Sequence, residues 1–480
     1  MARLRETRER ELKLAVPPGF TLPQIPGEPL EPKTFTSTYH DTADRALARA
    51  GVTLRRRVQD RRGLWQLKLP GEGERLELEI PGGPGAPPPE LAELLVGVLR
   101  GRPLEPAAVL RTRRAGVRAH ENGHAVADVT VDNVAVLDGR RVRDRFVELE
   151  VEALESGAHA LPALGRALTD AGAAPGDGRP KAFRAMGYFP SEPGIPPRWA
   201  PALEHVRAAI ARQVRELIAH DPGTRLGQDP EELHQARVAT RRLRAVLRAA
   251  LSLLDPSWAE SLRAELAWLG GALGPVRDLD VLLERLRDEV DDLEAAERAA
   301  AGRFLALLEQ ERATARVGML EVLSSARYAE LLTRLEAAAV APRARESDVS
   351  LRDVAAQEFR KLRKAVRALP ADSTDEELHA VRIRGKRARY AAELAEGVVG
   401  KPARRFVQDA KRFQDVVGGH QDAVVAEKRV RDLLDRARSP AAHLAAGRLV
   451  ERERQRRREA RAAFPEAWAT LEKSGKRAWS

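Results

Sequence analysis

Along the first 190 residues, charged side chains recur at every second position. Glu9, Glu11 and Lys13 stand in one run, Arg55 and Arg57 in another, then Gln66 with Lys68, Glu77 with Glu79, Arg111 with Arg113, and Glu148 with Glu150 and Glu152; Asp128 and Asp132 lie four apart. In an extended strand, residues i, i+2 and i+4 share a face, so each set points one way. The intervening residues are largely apolar: Leu76, Leu78 and Ile80; Val129 and Val131; Val147, Leu149 and Val151. One reading is an antiparallel sheet with a solvated, charged face. Against it, close carboxylates repel unless a cation neutralises them, and acidic strands are segregated from basic ones. A closed barrel with a charged interior and an apolar outside covered by helices accommodates both facts. In that interior the carboxylates would hold a hard divalent cation, Mg²⁺ or Mn²⁺, through oxygen ligands. The Arg and Lys side chains would grip phosphate oxygens.

A second constellation lies further along. Glu231-Glu-Leu-His-Gln-Ala-Arg-Val-Ala-Thr-Arg-Arg-Leu-Arg244 recurs as Glu376-Glu-Leu-His-Ala-Val-Arg-Ile-Arg-Gly-Lys-Arg-Ala-Arg389, an offset of 145. Gly274-Pro-Val-Arg-Asp278 is matched by Gly418-Gly-His-Gln-Asp422 at an offset of 144. Asp229, Pro230 and Glu232 start a helix, and Thr374 with Glu377 repeat the capping pattern. On such helices His234, Arg237, Arg241 and Arg244 span roughly 80° of surface, as do His379, Arg382, Lys386 and Arg389. A solvated face usually mixes signs. Here no acidic residue occurs between His234 and Arg248 or between His379 and Ala392. A polyanion would balance these stripes, with each histidine a phosphate-facing donor that becomes cationic on meeting it.

Positioning these residues takes two kinds of element. Up to about residue 190 short alternating runs broken by Gly and Pro predict strands at Glu9 to Val16, Val52 to Val58, Leu64 to Leu69, Arg75 to Ile80, Ala125 to Val134 and Phe146 to Ala153. Helices are expected at 90–100 and 160–173. Residues 191–200 form a Pro-rich linker. From 201 to 480 the sequence is Ala/Leu/Arg/Glu-rich with helical periodicity. Its repeat predicts two pseudo-symmetric four-helix bundles, about 201–345 and 346–480. Lys and Arg number 82 against 71 Asp and Glu, a net charge of +11 that favours a polyanionic partner. Scarce aromatics count against single-stranded nucleic acid. With no cysteine, disulfides and thiolate metal sites are excluded and a reducing compartment is expected. No run of about 18 apolar residues predicts a membrane span, and the N-terminus lacks the apolar core of a signal peptide, so a cytoplasmic protein is expected.

Glu9-Arg-Glu-Leu-Lys13 resembles the E-x-E-x-K signature of the CYTH, or triphosphate tunnel metalloenzyme, family. Tyr39 to Arg57, Trp65 to Leu69, Phe146 to Glu152 and Pro180-Lys-Ala-Phe-Arg184 follow in the family's order. The resemblance covers roughly 1–190. It implies an α+β domain built on an eight-stranded antiparallel tunnel, and metal-dependent hydrolysis of a triphosphate. Glu9, Glu11, Glu148 and Glu150 would be metal ligands; Asp128, Glu77, Glu79 and Glu152 would be further ligands or water-orienting carboxylates. Lys13, Arg55, Arg57, Lys68, Arg111, Arg113 and Lys181 would hold the triphosphate, with Glu9, Glu11, Lys13 and Asp128 the catalytic set. The paired Glu-Leu-His-x-x-Arg stretches resemble the CHAD domain over about 201–480, with the two Gly segments similar to its helix-connecting motifs. That resemblance implies inorganic polyphosphate as partner and association with polyphosphate granules. The alternatives are a non-catalytic polyphosphate scaffold and, less favoured, a nucleic-acid binder.

Overall fold

The computed structural model describes residues 4–17, 19–71, 74–155, 157–190, 194–434 and 439–479. The chain divides into two compact units, Met1–Glu192 with Asp221–Leu226, and Pro193–His220 with Gly227–Ser480.

The first unit is built on one antiparallel sheet. Its strands are β1 (Arg5–Glu9), β2 (Glu11–Ala15), β3 (Gly27–Asp41), β4 (Thr53–Gln59), β5 (Arg62–Leu69), β6 (Arg75–Pro81), β7 (Glu105–Glu121), β8 (His124–Asp138), β9 (Arg141–Ala153) and β10 (Ala174–Pro175). The order is β1-β6-β5-β4-β3-β7-β8-β9-β2-β10. β1 and β2 are consecutive, yet β1 begins that order and β2 stands next to last. Residues 5–9 pair with β6 and residues 11–14 pair with β9, so the first strand changes partner at Arg10 and closes the sheet on itself. Ten strands are therefore the expected eight, with the first divided at Arg10 and a two-residue pair, β10, added on β2.

β3 lies outside the expected strands, and it carries Pro29 and Pro32, which disfavour a paired run. The structure places a register shift between Leu30 and Lys33, so Pro32 sits at an irregularity that needs no ladder hydrogen bond. Short helices α1 (Ala46–Arg49), α2 (Pro89–Ala92), α3 (Val96–Leu99), α4 (Leu161–Asp170) and α5 (Lys181–Ala185) flank the sheet. Leu149 and Val151 of β9 and Leu14 of β2 pack outward with Ala160 and Leu168 around α4. Parity then sends Glu148, Glu150 and Glu152 inward.

The second unit is all helix: α6 (Ala202–Ala219), α8 (Pro230–Ala249), α9 (Pro256–Val290), α10 (Ala295–Leu323), α11 (Ala326–Val340), α12 (Leu351–Arg367), α13 (Asp375–Val399), α14 (Lys401–Leu434) and α15 (Pro440–Trp479); the short α7 (Asp221–Leu226) groups with the first unit. The helix starts at 230, 256 and 295 recur at 375, 401 and 440, the 145-residue offset of the sequence repeat. Of the expected linker, 191–193 lie outside the described residues and 194–200 carry no helix or strand.

The two copies also share a core. α12, α13, the first part of α14 and the end of α15 enclose Phe359, Val381, Phe406, Phe413 and Leu471. A separate core joins Leu283 and Leu286 of α9 and Phe304 of α10 to Val430 of α14 and Leu449 of α15, so both copies contribute to it. The motifs at 274–278 and 418–422 also differ from expectation. They lie inside α9 and α14 and connect no helices. Both glycines face a stripe cation: a Cβ on Gly274 would stand 3.9 Å from the Arg237 guanidinium, and one on Gly418 would stand 4.0 Å from Nε of Arg382, ordinary contact distances.

Gly116 of β7 is cross-strand to Thr130, which is cross-strand to Glu150 and so to Lys13. A Cβ at Gly116 would meet the Val129 carbonyl oxygen at 2.0 Å. Gly116→Ala is expected to lower stability by about 2 kcal/mol or more through backbone displacement, read from denaturant titration of the first unit's transition.

Candidate functional site

Inside the closed sheet lies a cavity of about 250 Å³. Alternation brings it Glu9, Glu11 and Lys13 from the first strand, Arg55 and Arg57 from β4, Gln66 and Lys68 from β5, Glu77 and Glu79 from β6, and Glu150 and Glu152 from β9. Lys181 enters from the first turn of α5.

The charges are heavily paired. Lys13 Nζ lies 2.8 Å from Glu148, 2.6 Å from Glu150 and 3.7 Å from Glu11. Burial alone would lower the Lys13 ammonium pKa, but Glu150, Glu11 and Glu148 outweigh it and raise it. Lys181 lies 3.0 Å from the fully buried Asp132 and also contacts Glu150. Arg114 donates to both oxygens of Asp132, at 2.8 and 2.7 Å, and to Glu150 at 2.7 Å. Burial opposes ionisation of Glu150; Lys181, Lys13 and Arg114 overcome it and hold that carboxyl well below its usual value.

Elsewhere the balance tips toward acid. Lys68 bonds Glu9, yet burial first and the neighbouring Glu77 second push the Glu9 carboxyl up to about 7. Burial and Glu9 likewise raise Glu152. Oε1 of Glu77 is buried without a hydrogen-bond partner, with Lys68 at 3.6 Å and Arg55 at 3.9 Å.

Opposite in sign is Arg57. Burial lowers its pKa, and Arg55 and Arg114 add to the shift against Glu79 and Glu77. Its guanidinium stands over Phe35, 5.1 Å from the ring centroid, and forms no ion pair among the described residues.

These observations bear on the expected metal. Among the described residues no three carboxylate or imidazole side chains form a ready-made ligand group. Glu148 and Glu150 are already neutralised by Lys13 and Lys181. The region around Glu9, Glu77 and Glu152, with Glu11 nearby, is where negative charge exceeds positive. An orphaned carboxylate oxygen beside a carboxyl that resists ionisation is what a hard cation relieves, so this donor set fits one chemically.

Two expected grips are not in the cavity. Arg111 and Arg113 are exposed on the outer face of β7; the inward cation of that strand is Arg114. Asp128 has inward parity, but Arg118 holds its two oxygens at 2.8 and 3.0 Å and it does not line the cavity. Sequence reasoning also missed Arg75, 3.1 Å from Glu11, and Tyr39, whose hydroxyl accepts from Arg55 at 3.0 Å. Arg114 could not be chosen over Arg113 from the turn. Asn122-Gly123 takes positive φ at both residues, as a two-residue hairpin turn requires. Counted from that turn, Asp132 would face Arg113; a register shift between Ala119 and His120 moves the pairing by one and sets Arg114 opposite Asp132 and Arg118 opposite Asp128.

In the second unit the two cationic stripes meet, because α8 packs on α13. Arg237 donates to Asp278 at 2.7 Å, and Arg382 lies 3.8 Å from Asp422. These carboxylates come from α9 and α14, so charges unbalanced within one helix are partly balanced by its neighbour. Arg277 donates to Nδ1 of His234 at 3.2 Å. Burial and that guanidinium lower the His234 pKa, which opposes the cationic role expected for it. His379 instead donates to Gln421 at 2.7 Å. Arg389 is drawn toward Glu393 at 3.6 Å, and Arg244 has Arg263 as its charged neighbour. The centre is thus Arg237, Arg241, Arg382 and Lys386. Burial, then Arg382 and Arg241, push the Lys386 ammonium down to about 7. Among the described residues neither Arg241 nor Lys386 has an ion-pair partner.

Comparison with known proteins identifies two domain families along the chain. The CYTH domain family matches residues 7–175 and the CHAD domain family residues 208–431. An uncharacterized protein of Mycobacterium tuberculosis (strain CDC 1551 / Oshkosh) is 32% identical over 427 residues, covering 82% of this chain and 80% of its own. Among solved structures, PptA from Streptomyces chartreusis aligns with a TM-score of 0.48 at 26% identity, over 56% of this chain and all of its own. The CHAD domain from the plant Ricinus communis aligns with a TM-score of 0.47 at 25% identity, over 59% of this chain and 96% of its own. No helix of the described residues is long and apolar enough to cross a membrane. The chain therefore belongs to the CYTH–CHAD proteins, a triphosphate-tunnel domain followed by a CHAD domain.

Proposed function

We propose that this protein is a metal-dependent inorganic triphosphatase whose CHAD domain binds inorganic polyphosphate. The observation that carries the reading is the uneven charge of the cavity: surplus acid at Glu9, Glu77 and Glu152, surplus base at Arg57. A triphosphate joined to a divalent cation has the complementary pattern. The volume, about 250 Å³, is below the range typical of pockets for larger organic ligands, which favours a bare phosphate chain.

Glu9, Glu11, Glu77 and Glu152 would hold Mg²⁺ or Mn²⁺, which supplies charge neutralisation at the phosphoryl oxygens and the leaving phosphate. Arg55, Arg57, Lys68 and Arg114 bind and orient the phosphate chain. Lys13 and Lys181 hold Glu150 ionised and keep Glu148 and Glu150 in place. A carboxylate of the acidic side accepts a hydrogen bond from the attacking water, and displacement is in line without a covalent enzyme intermediate. In the CHAD domain, Arg237, Arg241, Arg382 and Lys386 grip polyphosphate. Carriage of both activities on one chain raises the local concentration of phosphate chains at the enzyme.

Phosphate release from tripolyphosphate with Mg²⁺ or Mn²⁺ tests the enzyme. Glu9→Gln with Glu11→Gln is expected to cut kcat/KM by about 100-fold or more, and Arg114→Ala by about tenfold or more. Arg111→Ala and Arg113→Ala are expected to stay within about twofold of wild type. Equal losses in all these variants would overturn the assignment of the cavity.

Polyphosphate affinity carries a pH signature. A phosphate chain restores the proton that crowding removes from Lys386, so binding takes up a proton above pH 7. Affinity should fall as pH rises from 6.5 to 8.5 at fixed salt, and Lys386→Arg should flatten that slope. Without ligand the same crowding is a stability penalty. It is complete below pH 7, the folded value, and fades toward 10.5, the ordinary value. Lys386→Met should therefore raise Tm more at pH 6.5 than at pH 9.5, measured by thermal melts.

A further inference from the structure

Beyond the central cations the two stripes end differently. On α8 the face of Arg237 and Arg241 continues through Arg244 to Arg248. On α13 the equivalent face runs from Arg382 and Lys386 through Arg389 to Glu393. The 145-residue offset makes Arg248 and Glu393 equivalent, so a cation ends one stripe and a carboxylate the other.

That exchange changes the charge beside the place where α8 packs on α13. Glu393 lies 3.6 Å from Arg389 and 4.0 Å from Arg242 of α8, and so answers both. At the same offset, the equivalents of these two arginines are Arg244 and Arg387. With Arg248 where a carboxylate would stand, they make a set of three guanidiniums, none of which forms an ion pair among the described residues. Burial, then Arg248 and Arg384, lower the Arg387 pKa; burial and then Arg263 lower that of Arg244. Guanidiniums crowded in this way bind phosphate oxygens well, because each gains a counter-charge together with its hydrogen bonds.

Each set borders a cavity. One, about 530 Å³, lies among α6, α8, α13 and α14; the other, about 560 Å³, lies among α8, α12 and α13. They are counterparts: Ala209 and Arg212 in the first lining correspond to Val354 and Gln357 in the second. Their linings carry equal formal charge but order it differently. In the α12 cavity the carboxylates, Asp353 and Glu358, both stand on α12 and are engaged, by the Ser350 hydroxyl and by Lys361, each at 2.6 Å. Arg248 and Arg387 stand on the wall next to the central cations. In the α6 cavity that wall holds Glu393 and Glu396.

We infer that inorganic polyphosphate leaves the central cations on one side only, along α8 past Arg244, Arg248 and Arg387 into the cavity against α12, while Glu393 closes the equivalent route against α6. This course rests on the reading of the CHAD domain as a polyphosphate binder. Arg241 and Arg248 are about 10 Å apart along the helix, so a long chain engages both at once.

Binding of long-chain polyphosphate to the full-length protein, without divalent metal so that the chain stays intact, tests it. Arg248→Glu copies an arrangement the fold already carries at Glu393. It should weaken binding by about tenfold or more and lower the slope of log affinity against log salt by about 1. Arg212→Ala with Arg404→Ala removes an equal amount of charge from the α6 cavity and should stay within about threefold of wild type. The one-sided course is overturned if Arg248→Glu binds within threefold of wild type, or if the Arg212 and Arg404 double variant loses as much as Arg248→Glu. Arg241→Ala with Lys386→Ala tests the underlying reading separately: wild-type affinity in that variant, or no binding by the wild type, overturns the central site and the course drawn from it.

Discussion

Closing a sheet around charged side chains imposes a constraint that organises the whole first unit. A buried carboxylate or guanidinium is tolerated only when paired or hydrogen-bonded. The barrel can close because β1 and β2 share one strand that changes partner at Arg10, and the closure brings the acids of that strand against those of β6 and β9. Lys13, Lys181 and Arg114 answer the charge of Glu148, Glu150 and Asp132. What they leave unanswered, at Glu9 and Glu77 on one side and Arg57 on the other, is the chemical capacity of the cavity.

The helical unit solves a related problem differently. Its cations lie on helix surfaces, so repulsion is limited by water and by carboxylates from the next helix. Asp278 and Asp422 occupy equivalent places in the two copies. The copies diverge at the adjacent residue, Arg277 in one and Gln421 in the other. That single difference gives His234 an accepting role at Nδ1 and His379 a donating one. Duplicated sequence has thus produced two chemically unequal histidines.

Much of this was legible in the sequence where period and parity agree. The inward rows at Glu9, Glu11 and Lys13 and at Glu148, Glu150 and Glu152 follow from simple alternation with apolar neighbours. The helix starts follow from capping residues repeated at one offset. Legibility failed where adjacent positions carry like charge. Arg113 and Arg114 are consecutive, so alternation alone does not choose between them, and the register shift between Ala119 and His120 reverses the choice the turn would make. It failed again at β3, whose prolines hide a strand with an irregularity, and at Gly274 and Gly418, which lie inside helices rather than between them. Pairing partners such as Asp278 could not be read from α8 itself, because they belong to the neighbouring helix.

The core shared by α9, α10, α14 and α15 has a consequence for how such a chain assembles. Neither copy of the duplication can bury all of its apolar surface alone, since Leu283 and Phe304 need Val430 and Leu449 from more than a hundred residues away. Maturation of this region must await synthesis of the final helix, and an early truncation leaves an adhesive apolar face uncovered. Two molecules that trade their latter halves would regenerate the same interior contacts, which makes strand-for-strand exchange of helices a low-cost route to a dimer.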